Sequence, residues 1–519
     1  MAGARQIVLA GMTIDRDGLN DAIATLRADN PTQKEVAHAL YLLENLAPET
    51  IAASYARISR DPDPIPKLRE KARQDVAQAR KSYEAINFGL GHKSIAEHAV
   101  FNFDIMGISR LAVEAIEEKR LQSYTEKSQR YIMLDGDFVL PKELIGTEFE
   151  SAIIKNIEGQ NAFYKKHIDT LLTWHRTQDY SENFTSLGCA DKPKKQEETL
   201  LGYAKEDARY VLSMATQAQL GLTVSARNLE TLISKLRSSR VEEFRAIGND
   251  IFSEVDGIAP SIIKYTAATP YFMKTRSALR EYVASLKEGL ALIPWARHTS
   301  ERGDVRLFYP LQRDEAELAG IVFSTSDVCF ELALGMTRDM DAAQRRELRD
   351  KADAYQEKHD PKLREYELGD RVAELTMSAS AFAQMKRHRM NTLITQGYDP
   401  TLGRTIPPSI SGAGLEEQFT DIMDDADTLY GDLIDAGVGR EIATYALTNA
   451  HRRAVLLDAN NRQVHAFGTE RLNLPAQWDI RQLAGDYVAL VQPTSPIMLE
   501  HVCGKDRFYE MKERTRNRR

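Results

Sequence analysis

Apolar residues recur at three- and four-residue spacing through Ile51–Ser59 and Lys67–Ile86, among abundant Ala, Arg, Glu and Gln, which predicts helices in both stretches. The pattern then changes. Ala99-Val-Phe-Asn-Phe-Asp-Ile alternates apolar and polar positions, the period of a strand with one buried face. Helical spacing predicts further helices over Ser109–Gln122, over 150–180 and over 206–247, with an exposed loop at 181–205, where Gly, Asn, Lys-Pro-Lys-Lys and paired glutamates gather. In the second half, Val305-Arg-Leu-Phe-Tyr-Pro and Ile321-Val-Phe are strand candidates. Ala373, Leu375 and Met377 share the face of another strand, followed by a helix from Ala379. Pro407-Pro408 marks a turn, and helical spacing resumes at Leu415 and over Arg440–Ala454. Strands interleaved with helices predict a mixed α/β fold.

A chain of 519 residues exceeds one ordinary core and implies at least two domains. A net charge of −8 argues against a nucleic-acid binder; the basic end Lys512–Arg519 reads as a solvated tail. Cys189, Cys329 and Cys503 have no metal-ligand spacing and are too few for a disulfide framework, so no metal site is expected. No apolar run reaches the roughly 18 residues of a membrane span, and the short apolar run near the N-terminus lacks the form of a secretion signal. The expected location is the cytoplasm.

One pattern occurs twice, incomplete each time. Glu118-Lys119-Arg120 precedes Ser123, Glu126, Ser128, Arg130 and Tyr131; Arg387-His388-Arg389 precedes Thr392, Gly397 and Asp399. Ser123 and Thr392 are offset by 269 residues, Ser225-Ala226-Arg227 and Asn460-Asn461-Arg462 by 235. The difference of 34 residues fits an insertion in the first half near 181–205. The halves 1–268 and 269–519 read as diverged duplicates of one α/β unit.

Several of these residues suit anion recognition. Hydroxyls and an arginine at short spacing (Ser123, Ser128, Arg130) form a phosphate grip, or equally a helix terminus with surface charges. Consecutive cationic and imidazole groups at 387–389 suit a diphosphate, or a basic helix end that complements the macrodipole. Gly91-His92-Lys93-Ser94-Ile95-Ala96-Glu97-His98 places histidines and a carboxylate near a strand entry, fit for cofactor recognition or for a capped helix with structural histidines.

Together these blocks resemble flavin-dependent thymidylate synthases, whose signature is R-H-R-x-x-S-x-x-x-x-S-x-R. Ala208-Arg209-Tyr-Val-Leu, Gln384 before Arg387, Asn460-Asn-Arg462 and Arg471 through Ala476-Gln-Trp-Asp-Ile-Arg481 also resemble family blocks. The resemblance implies two copies of that fold and bound FAD. It implies reductive methylation of dUMP at C5, with carbon from methylenetetrahydrofolate and hydride from NADPH. It places Glu126, Ser128, Arg130, Arg209, Gln384 and Arg387 at the nucleotide, and His92, Arg387, His388, Arg389, Asn460 and Arg462 at the flavin. It puts Arg471 on the uracil ring, where its charge stabilises the enolate-like form. The first half keeps the phosphate-binding residues but has Ala115 and Glu118-Lys119 where the second has Gln384 and Arg387-His388; Thr444 stands opposite Arg209, and Leu236, or Arg237, opposite Arg471. A site shared between the halves is therefore expected, and a homodimer that mimics the family's tetramer. Pro475, Glu470 and Gly397 depart from the family pattern and leave open another pyrimidine nucleotide as substrate, or a binding relic without turnover.

Overall fold

The computed structural model describes residues 4–44, 46–58, 61–74, 93–129, 132–286, 304–308, 313–355, 363–368, 370–494, 499, 502–508 and 510. Among the described residues there are two sheets of four strands each. In the first, β1 (Gln6–Met12), β2 (Val100–Ser109), β3 (Gln122–Glu126) and β4 (Gln217–Ser225) are ordered β1-β2-β4-β3; in the second, β5 (Val305–Phe308), β6 (Val372–Ser378), β7 (Thr392–Thr395) and β8 (Arg452–Asp458) are ordered β5-β6-β8-β7.

The order is the same, and so is the register. Ser123 faces Thr223 across β3–β4, and Thr392 faces Asp458 across β7–β8. The residues Ser123 and Thr392 differ by 269 positions and Thr223 and Asp458 by 235, the two offsets of the sequence motifs. A one-residue slip would turn every side chain to the opposite face, so this agreement is a stringent mark of duplication.

Packing partitions the chain differently from descent. One compact unit gathers Met1–Ile108, Ala115–Lys127 and Ala218–Thr269; the other gathers Ser109–Glu114, Ser128–Gln217 and Pro270–Arg519. In the first unit, Ala218, Leu220, Leu222 and Val224 of β4 are buried, and Phe101, Phe103 and Ile105 of β2 likewise, so one face of that sheet carries the core. In the second unit both faces are covered. Ala373, Leu375, Met377, Val455 and Leu457 pack under the helices Asn461–Arg471 and Trp478–Val491. Val372, Ala454, Leu456 and Ile394 pack under Arg313–Ser324 and Phe330–Asp339. Two covered faces explain why β8 reads Ala-Val-Leu-Leu rather than as an alternation.

Several expectations are corrected by this geometry. Ser109–Gln122 is not one helix: the helix is Arg110–Glu117, and Gln122 opens β3. Ile321-Val-Phe lies inside the helix Arg313–Ser324, where its apolar residues complete a buried stripe. The stretch 206–247 contains β4, and Arg440–Ala454 holds the short helix Arg440–Ala443, a 3-10 turn over Thr444–Ala446 and the start of β8. The loop expected at 181–205 is the helices Ser181–Ser186 and Pro193–Ala208, the second started by Pro193 in its first turn. The predicted helix over Lys67–Ile86 is seen as Ile65–Gln74; residues 75–86 lie outside the described residues. Among the described residues, no helix is long and apolar enough to cross a membrane.

Within the second unit the duplicated halves meet about a local two-fold. Met214 N–H donates to the Leu447 carbonyl at 2.8 Å, and Asn449 N–H to the Leu212 carbonyl at 2.9 Å. Both pairs exchange positions under the 235-residue offset, as does the bridge Ser213–Thr448. The inserted helices pack here with the long helix Glu150–Arg176 and with Glu416–Asp435.

Candidate active site

The site in the second unit starts at the end of β6. The Ser378 side chain caps the next helix, Ala379–Met385, by accepting from Ala381 N–H. Gln384 is buried in the last turn of that helix, and Arg387, His388 and Arg389 follow in a half-buried loop. Arg471 ends the helix Asn461–Arg471 and reaches this loop. Its Nε donates to His388 Nε2 at 2.9 Å, Nη2 to the Gln384 carbonyl at 3.1 Å and Nη1 to Gln384 Oε1 at 3.4 Å. A ring nitrogen that accepts from a guanidinium is unprotonated. Burial, then the charge of Arg471, holds His388 down to about 3. The imidazole stands edge-on to Phe467, with centroids 5.0 Å apart.

A line of hydrogen bonds leaves Gln384 in the other direction. Gln384 Nε2 donates to Gln477 Oε1 at 3.0 Å, and Gln477 Nε2 to the Tyr210 hydroxyl. Tyr210 donates to Asp479 Oδ2 at 2.9 Å, which also accepts from Ser378 Oγ at 2.6 Å. Burial raises the Asp479 carboxyl, while these two hydroxyls oppose the shift. Tyr210 stacks on Trp478, whose Nε1 donates to Asp207. Asp207 also accepts from Ser409 and lies 3.2 Å from His175 Nε2. A cleft of about 60 Å³ opens beside Gln477 and Trp478, lined by His175, Tyr180 and Tyr203.

The second unit therefore brings together Gln384, His388 and Arg471 directly, and places Arg209 beside Tyr210. Arg209 is buried at the C-terminal cap of Pro193–Ala208, and its carbonyl accepts from Asn449 Nδ2. The same amide donates to Gln129, next to half-buried Ser128. Asn460 caps the helix Asn461–Arg471 through a reciprocal box with Gln463, and Arg462 is exposed in its first turn. Glu126 ends β3 in the first unit. His92 and Arg130 lie outside the described residues. Motif reading passed over Tyr210, Gln477, Asp479 and Asp207. The first three stood inside quoted blocks, but their roles depend on pairing between halves.

The donor set fits an elongated cofactor that bears a diphosphate. The loop 387–391 runs beside the helix Asn461–Arg471, with His388 tied to Arg471 at one end and the Met390 carbonyl to Gln463 Nε2 at the other. Those helix positions are separated by about 12 Å at 1.5 Å per residue. The loop carries Arg387 and Arg389, and the helix carries Arg462 in its first turn, cationic residues of the type that bind a diphosphate.

The first copy of the motif has been diverted. Glu118, at the position of Arg387, is ion-paired with Lys235. Leu236, at the position of Arg471, is buried, and Arg237 is committed to Asn249, Thr266 and the face of Phe252. Arg227 pairs with Glu97 at 2.6 Å.

The family model described as thymidylate synthase complementing protein matches residues 41–261 and 364–497. A UPF0159 protein of Thermoplasma acidophilum is 25% identical over 466 residues, covering 84% of this chain and 90% of that one. Flavin-dependent thymidylate synthases of Clostridium tetani and Geobacter sulfurreducens are 28% and 30% identical over 223 and 226 residues; each alignment covers 42% of this chain, and 82% and 81% of the relative. A family match in two segments, relatives of half length and one of full length agree with the repeated strand order and register: the chain belongs to the thymidylate synthase complementing protein family, as a tandem member.

Proposed function

We propose that this chain catalyses FAD-dependent reductive methylation of dUMP to dTMP, with carbon from methylenetetrahydrofolate and hydride from NADPH, at a site to which both halves contribute. The observation that carries the reading is the hydrogen-bonded line from Arg471 and Gln384 of the second half to Tyr210, beside Arg209, of the first. Bound FAD supplies the redox chemistry, and the chain's own residues bind and orient. Arg209, Arg387, Ser128 and Arg130 take the nucleotide phosphate, with Glu126 and Gln384 nearby. His92, His388, Arg389, Asn460 and Arg462 take the flavin, which Arg387 also adjoins. Arg471 holds a full charge against a neutral imidazole, so its field is undiluted where negative charge grows on the pyrimidine. No protein nucleophile is needed. The local two-fold within one chain supports a homodimer as the working assembly, since one chain already joins two copies of the fold.

The test is an absorbance spectrum, anaerobic reduction, then addition of dUMP with methylenetetrahydrofolate. Reappearing flavin bands with dTMP formed support the reading. A flavin-loaded protein that forms no dTMP directs the search to another pyrimidine nucleotide, a reading that Pro475 and the inserted cleft beside Gln477 favour. Absence of flavin after added FAD refutes both. Arg387→Ala and Arg130→Ala test the sharing: each abolishes dUMP binding if both halves serve one site, and unchanged binding in either rules that out.

A further inference from the structure

The first half carries an insertion that the reaction proposed above does not use. In the second half, one helix ends at Asp435 and the next begins at Arg440. Applied to these two residues, the offsets of 269 and 235 place the insertion at 167–204, where the second half has only 436–439. The inserted residues build one side of the cleft beside Gln477. His175 lies in the last turn of the helix Glu150–Arg176, Tyr180 precedes Ser181–Ser186, and Tyr203 lies on Pro193–Ala208. The other side comes from the segment 474–481 of the second half. Three rings meet at the inserted side without stacking. Tyr180 and Tyr203 are 5.1 Å apart at 45°, and His175 stands 5.9 Å from each, tilted by 41° and 51°. The faces of aromatic rings carry the negative part of the quadrupole, so such walls attract a cation.

Hydrogen bonding makes this lining an acceptor. Asp207 Oδ2 stands 3.2 Å from His175 Nε2, and an unprotonated nitrogen there would set its lone pair against a carboxylate. The neutral ring therefore carries its proton on Nε2, and Nδ1 accepts from the Tyr180 hydroxyl at 2.7 Å. With its proton given to His175, the Tyr180 oxygen has only lone pairs left to offer. Burial, then the charge of Asp207, raises the Tyr180 hydroxyl, and the opposing charge of Arg481 counts for less. Arg481 turns Nη1 to the Leu474 carbonyl at 2.6 Å. Buried Glu206 adds a second carboxylate to the lining.

We propose that this cleft binds a small organic cation with N–H donors, a guanidinium or primary ammonium head, held between the tyrosine rings and the Tyr180 oxygen. One water needs about 10–15 Å³, so the cleft of about 60 Å³ takes a head group of about five heavy atoms, smaller than a pyrimidine base. Gln477 forms part of the wall and accepts from Gln384 at 3.0 Å, so an occupant lies one residue away from the candidate active site. The inference does not depend on the reaction proposed above.

The experiment is saturation-transfer NMR on the methyl signal of methylguanidinium, titrated against the full chain at pH 8 and low salt. Methylurea is the control, a neutral molecule of the same shape. Methylguanidinium should bind with a Kd of about 1 mM, ordinary for so small a ligand. Methylurea should bind about tenfold more weakly or not at all, since it brings no charge and sets a carbonyl against acceptors. Tyr180→Phe keeps the ring and removes the acceptor, and should weaken methylguanidinium about tenfold, the scale of one hydrogen bond to a charged group. Tyr203→Leu removes one wall and should weaken it about fivefold; where Tyr180→Phe does not fold, this variant carries the test. Equal binding of methylurea, full affinity in the folded variants, or no saturation transfer at all overturns the proposal. Displacement of methylguanidinium by dCMP would give the cleft to a nucleotide and overturns it as well.

Discussion

His388 should remain neutral at pH values where a histidine in water is charged. Its imidazole is buried against Phe467 and accepts from the guanidinium of Arg471, and both conditions oppose a second ring proton. The shift from 6.5 to about 3 corresponds, at about 1.4 kcal/mol per unit, to roughly 5 kcal/mol against protonation in place. The sign follows from linkage. The folded pKa lies below the unfolded one, so the contribution is intact above about pH 6.5 and is lost progressively as pH falls toward 3. At pH 5 about 2 kcal/mol has gone. The assay is a nitrogen–proton correlation spectrum of ¹⁵N-histidine-labelled protein, followed from pH 8 to 5, with the resonance assigned from His388→Gln. The expected result is an unprotonated Nε2 and a protonated Nδ1 throughout. In Arg471→Gln the midpoint should rise, while burial keeps it below 6.5. A wild-type midpoint near 6.5 would refute the argument, because Arg471 would then have no acceptor at His388.

Two further outcomes follow from buried groups in the second unit, and a third from the first copy of the motif. Asp207→Leu leaves the Trp478 N–H and the Ser409 hydroxyl without their acceptor, so it should cost about 3 kcal/mol or more, read as a lower denaturation midpoint. Glu114→Ala removes the carboxylate that accepts from Tyr398 and pairs with Arg453 at 3.2 Å; the loss should be about 3–5 kcal/mol, and Glu114→Gln should recover part of it. Glu118→Arg in the first copy should create no nucleotide site, since Ala115 and buried Leu236 leave the rest of the arrangement missing; binding stoichiometry by calorimetry checks it.

Much of the fold was legible where the apolar spacing is regular. Alternation at 99–105 located β2, and Ala373, Leu375 and Met377 located β6, with the helix from Ala379 directly after it. Ile321-Val-Phe failed because three apolar residues do not distinguish a strand from the inward stripe of a helix. The segment 181–205 failed for a different reason: its helices are polar by composition and gain their stability from Leu200 and Ala204 packed in a cluster with Phe419 and Ile410. Local sequence carries no trace of partners two hundred residues away. The same limit applies to the site. Arg471, Gln384 and His388 could be picked by motif, whereas Tyr210 and Asp479 acquire meaning only when one half donates a hydroxyl to the other half's carboxylate.

The local two-fold sharpens the question of how many sites one chain supports. Ser213 pairs with its own counterpart Thr448, so around this point any feature of one half has an image in the other. The images are not equivalent. Arg209 maps to Thr444, whose hydroxyl is spent on the Arg440 carbonyl; Gln384 maps to Ala115, Arg387 to Glu118 and Arg471 to Leu236. Each of these four losses matches a retained group at the corresponding position of the other half, which is the pattern expected when one site is kept whole and its counterpart is released. One dUMP per chain is therefore expected in equilibrium titration of the flavin-loaded protein. Thr444→Arg alone should leave that number unchanged, because it restores one cation to an image that lacks its glutamine and its second arginine. Two equivalents per chain in the wild type would show that the image still binds, and that the losses in the first half mark altered specificity instead.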